Sequence, residues 1–186
     1  MSKATVHNIQ NASPLILAKG FYLVLLHATK KPPHIALLIE GKLFALSTKG
    51  PEINQHFSAM DRLIHKQQIP SLFIELNLPE IADYNSLKSI CAKILNSYIG
   101  LESGVITCLH PIKDLMNTMY KINTTGIDFV FELLPELQKN NIVGNCFQYN
   151  MERYLSSLNE FALQTYSMFD VSENIYKANQ KLQPIA

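Results

Sequence analysis

Net charge is nearly absent from this chain. Lys and Arg number 16 against 15 Asp and Glu, a formal net charge of +1, and charged residues are 17% of the whole, below the usual ~25%. Without a positive field the chain has no general attraction for nucleic acid or anionic lipid. Its nearest basic cluster, Lys30-Lys31 with Lys19 and Lys49 close by, reads as a solvated loop. Cysteine is scarce. Cys91, Cys108 and Cys146 are odd in number and widely spaced, which gives neither a disulfide framework nor a zinc pattern. No metal and no cofactor is therefore expected. No apolar run approaches the ~20 residues that span a bilayer. The opening Met1 to Asn8 lacks the apolar stretch of a signal peptide. The expectation is a cytoplasmic protein with reduced thiols, in which the sequon Asn123-Thr124-Thr125 carries no meaning. A Gly-rich phosphate loop, a nucleophile elbow and a His-Glu-x-x-His pair are all missing.

Apolar residues are plentiful: 47% of 186 residues. A chain of this length hides roughly 70% of its unfolded surface in one domain, so residues 1–186 read as a single domain. Residues 1–85 are strand-rich. Gly20 to Ala28 is a continuous apolar run, as in a strand covered on both faces. The spacing predicts further strands over His34 to Ile39, Lys42 to Ser47 and Ser71 to Leu76, with a tight turn at Glu40-Gly41. Phe57, Met60, Leu63 and Ile64 have helical spacing. Residues 86–186 are helix-rich. Apolar stripes run through Leu87 to Tyr98, Ile112 to Met119 and Phe129 to Leu137, with Pro135 expected to kink or split the third. Two more run through Phe147 to Leu158 and Ile175 to Leu182, the last capped by Ser172. Pro111 suits a first helical turn, Thr125 with Asp128 resembles a capping box, and Val105 to Leu109 reads as a short strand. The fold class expected is α+β, an antiparallel sheet from the first half packed against helices of the second.

Two residues suggest chemistry. Asn145 is a good N-cap, which would put Cys146 in the first turn of a helix. Unpaired N–H groups and the helix dipole there favour a thiolate. The plainer reading is a small buried hydrophobe. His34 begins a strand after Pro32-Pro33, where an imidazole could move a proton for a thiol; the plainer reading is a hydrogen bond to a loop carbonyl. Cys91 belongs to an apolar helix face. Cys108 and His110 would share a face on a strand, but no second pair completes a metal site. His27 reads as structural, His56 and His65 as surface residues, and Glu132 with Glu136 as a solvated face.

The segment His34-Ile-Ala-Leu-Leu-Ile-Glu-Gly-Lys-Leu-Phe-Ala-Leu-Ser47 resembles the histidine hairpin of circularly permuted papain-like hydrolases, which include the lecithin retinol acyltransferase-like proteins. Asn145-Cys146-Phe147-Gln148-Tyr149 resembles their later cysteine element at a helix start. The resemblance runs from Gly20 to about Leu158. It implies a catalytic Cys146–His34 pair. That family often carries a polar orienting residue on the returning strand, where this chain offers only Ser47.

Two expectations follow. One is a cysteine-dependent hydrolase or acyltransferase acting on an amide or ester bond of a small-molecule, peptide or lipid substrate. The other is a non-catalytic binding or assembly module, for which the low charge and the Met and aromatic content of the late helices suit a homodimer.

Overall fold

The computed structural model describes residues 4–80 and 82–180. The chain is α+β. A seven-stranded, mostly antiparallel sheet carries helices on both faces.

Its centre is β3 (Phe21–Leu26), every residue of which is buried. β4 (His34–Ile39) pairs with β3, and β5 (Lys42–Ser47) with β4, all antiparallel. Glu40 and Gly41 join β4 to β5, both with positive φ, 45° and 70°. That conformation gives a two-residue turn whose twist matches the strands it joins. β6 (Gly50–His56) forms one edge. On the other side of β3 lies β7 (Ser71–Leu76), then β8 (Val143–Tyr149), then β2 (Ile9–Asn11), which runs parallel to β8. A separate two-stranded piece pairs β1 (Thr5–Val6) with β9 (Phe161–Ala162).

Alternation along the strands builds two apolar layers. Leu23, Ile35, Leu37, Ile74 and Cys146 face α3 (Tyr84–Leu95), α4 (His110–Tyr120) and α5 (Val130–Lys139). Val24, Ala36, Leu38, Phe73 and Phe147 face α1 (Pro14–Leu17) and α2 (Phe57–Lys66). The late helices thus pack on one face as expected, and the first half covers the other with helices of its own. Asp83 caps α3 by accepting the Asn85 and Ser86 N–H groups, both at 2.8 Å. α6 (Met168–Gln180) is the last described element.

Five sequence expectations change. The stripe from Phe147 to Leu158 is no helix: it is the end of β8, followed by a single 3-10 turn at Glu152–Tyr154. Phe147 and Tyr149 fill one sheet layer while Cys146 fills the other, so strand alternation uses residues that also fit a helical period. Val105 to Leu109 is a turn region tied by a single Glu102–Ile106 bridge. α5 starts at Val130, not after Thr125, and Glu132 Oε2 accepts the Asp128 and Phe129 N–H groups at 2.8 and 3.2 Å. It continues unbroken through Pro135. α6 begins at Met168, ahead of Ser172. Leu182 lies outside the described residues.

Candidate functional site

Cys146 does not sit at a helix start. It lies within β8, paired with Ile9 of β2 and Ile74 of β7. Asn145 caps nothing; its N–H and its Nδ2 both donate to Glu75 Oε2 across the sheet, at 3.1 and 2.7 Å. Burial first, and then the Glu75 charge, push the Cys146 thiol up to about 12.

Nor does Cys146 meet His34. The register runs Cys146, Ile74, Leu23, Leu37 across four neighbouring strands, and His34 lies three residues further along β4. Three strand spacings and three residues of rise separate them by roughly 17 Å. The cavity beside Cys146 takes His7 instead, whose Nδ1 is 2.7 Å from Glu160 Oε1. Ser47, expected to orient the imidazole, is committed to its own turn. Its hydroxyl donates to the Gly50 carbonyl at 3.1 Å and accepts the Lys49 N–H at 3.2 Å.

The cysteine that shares a cavity with His34 is Cys108: both border a space of about 240 Å³. Cys108 directly precedes Leu109, the N-cap of α4. Thr107 shapes this entry: its Oγ1 accepts the Leu109 N–H at 3.3 Å, and its own N–H donates to His110 Nδ1 at 3.0 Å. Backbone N–H groups of Ile35, the residue after His34, and of Cys108 itself favour the charged form of the Cys108 thiol. Burial raises the Cys108 thiol above its usual range, and these two donors oppose that shift. They act as hydrogen bonds to the charged form do generally.

His34 is also desolvated, and burial lowers its pKa. Glu52 on β6 opposes that by favouring the protonated ring, while His27 adds to it. At neutral pH the pair is therefore a neutral imidazole beside a neutral thiol. His27 follows β3 in a left-handed conformation, φ 54°, and lines the same cavity. The remaining walls are largely apolar: Pro32, Pro33, Leu101, Val171, Ile175 and Ala178. Burial is the main reason the Tyr166 hydroxyl is raised.

One signal for Cys108 was present in the sequence. Pro111 marks a first helical turn, so a cysteine three residues earlier stands just ahead of a helix. The strand expected over Val105 to Leu109 concealed it. Cys91 is buried in α3, its thiol pushed up to about 12 by desolvation. Among the described residues no group of three or more His, Cys, Asp or Glu is placed to hold a metal ion.

Comparison with protein-family models, with curated proteins and with solved structures gives no significant match. Among the described residues no helix is long and apolar enough to cross a membrane.

Proposed function

We propose that this protein is a cysteine-dependent hydrolase or acyltransferase in which Cys108 is the nucleophile and His34 the acid–base. The observation that carries the reading is the shared cavity. Cys108 stands just ahead of α4, and His34 borders the same space. The histidine hairpin that resembles circularly permuted papain-like hydrolases adds to it. The cysteine that fits that pattern is Cys108 in place of Cys146, and the order of histidine strand before cysteine helix is kept.

The chemistry follows from the groups present. His34, neutral at working pH, takes the Cys108 proton as the sulfur attacks an acyl carbon. The carbonyl electrons move to oxygen, and the Ile35 and Cys108 N–H groups are the donors available to that oxyanion. The imidazolium then protonates the departing amine or alcohol as the C–N or C–O bond breaks, leaving acyl-Cys108. Water completes a hydrolase cycle; a second alcohol or amine completes an acyl transfer. Glu52 supplies the negative charge that steadies the imidazolium. A cavity of about 240 Å³ with mainly apolar walls accommodates one acyl group rather than a length of folded polypeptide.

The test is alkylation of each cysteine against pH in the folded protein, read by mass spectrometry, followed by turnover of short-chain nitrophenyl esters. Cys108 should react well ahead of Cys91 and Cys146, and His34→Ala should slow it at neutral pH. Cys108→Ala should abolish ester turnover, while Cys146→Ala should leave it intact. The alternative, a non-catalytic binding or assembly module, is favoured by Phe169 and Tyr176, large apolar residues exposed on α6. It requires Cys108 alkylation that ignores His34, and no turnover.

A further inference from the structure

Helix α6 forms one wall of the cavity. Val171, Asn174, Ile175 and Ala178 all border it, so the helix lines the space that Cys108 and His34 also border. Its attachment is slight. Val171 and Ile175 are its buried residues, whereas α4 buries Pro111, Ile112, Leu115 and Met116, and α5 buries Val130, Leu133, Leu134 and Leu137. Among the described residues two long polar contacts join it to the rest: Asn174 Nδ2 to the Lys31 carbonyl at 3.3 Å and Ser103 Oγ to the Ser172 carbonyl at 3.5 Å. Its Lys177–Glu173 ion pair, at 2.8 Å, is internal and exposed, and ties it to nothing.

Its base is held differently. Tyr166 packs edge-on against both Phe129 and Phe131, with ring centroids 5.2 Å apart in each case. One residue later the first turn is closed on itself. Asp170 Oδ2 accepts the Ser167 N–H at 2.7 Å, and Ser167 Oγ accepts the Asp170 N–H at 3.3 Å. An anchored ring, a self-contained helix and a weakly held body make a hinged part. Segments with few buried apolar contacts are those that open below the global unfolding free energy.

We propose that α6 is a cover that swings about the Tyr166–Ser167 segment to control access to Cys108 and His34. Closed, it desolvates both groups and keeps the thiol protonated. Open, it admits water and substrate, and the sulfur becomes reactive. The inference rests on the Cys108–His34 reading for its consequence. It is tested on accessibility alone, so failure of either idea is seen separately.

The experiment uses the full chain. Hydrogen exchange is followed by mass spectrometry, and Cys108 is alkylated with N-ethylmaleimide, in wild type and in the Val171→Ala/Ile175→Ala variant. In wild type, α6 amides should exchange faster than those of α3, α4 and α5. In the variant, Cys108 alkylation should rise by about tenfold or more, since the two truncations remove most of the buried contact that holds the cover down. Cys91 and Cys146 should stay as protected as before. The proposal is overturned if α6 exchanges as slowly as α4. It is equally overturned if Cys108 labels at one rate in both proteins, or only together with Cys91 and Cys146. The wild-type exchange decides the matter even if the variant fails to fold.

Discussion

The partly buried His34 imidazole ties the site to the pH dependence of the fold. Burial lowers the pKa of His34 from its usual 6.5. The unfolded chain therefore binds a proton that the folded chain refuses, and stability rises with pH across the interval below 6.5. That contribution is complete above 6.5 and is lost on acidification as the buried ring must charge or the protein open. Thermal melts of wild type against His34→Gln should show it: the variant loses less stability between neutral pH and mild acid. A parallel fall in both would mean that His27 and His110, which burial also lowers, carry the acid sensitivity. The same residue shows how far the sequence could be read. His34 at a strand start beside a loop was legible from Pro32-Pro33, because proline cannot continue a ladder. The cysteine that shares its cavity was not. Asn145-Cys146 satisfies the local rules for a helix start, and only the pairing of β8 with β7 and β2 decides against it.

Elements differ in how much their own sequence specifies them. β3, β4, β5 and β7 were legible because each is an apolar run bounded by turn residues. α3, α4 and α5 were legible because their buried residues recur at helical spacing. β8 was not: its apolar residues are divided between two layers and interrupted by Gln148. That side chain is buried only because Asn11, Glu152 and the Met151 N–H satisfy it, the last two at 2.9 and 2.7 Å. Two substitutions test element-scale energetics. Leu23 in β3 is fully buried, and Leu23→Ala should cost about 2–5 kcal/mol in urea unfolding. Glu132 holds two N–H groups at the start of α5, so Glu132→Ala should cost on the order of 1 kcal/mol. Glu136→Ala, four residues along the same helix, should cost much less. Equal losses for Glu132 and Glu136 would remove the capping argument.

The whole molecule is a sheet whose middle strands are close in sequence and whose far edge is not. β3, β4, β5, β6 and β7 come from one continuous stretch, Phe21 to Leu76. β2 is paired only to β8, some 137 residues downstream at the Ile9–Cys146 register point. As the chain emerges from a ribosome, the middle of the sheet can collapse early, since pairing of nearby segments closes small loops. The first strands made must then wait, unpaired, for almost the last. Until β8 arrives, β7 presents an open edge lined with Ile74 and Leu72, the kind of surface that invites association with other chains. Cys108, by contrast, is translated before α6. A nascent chain that has released α4 but not α6 carries Cys108 without the helix that lines its cavity.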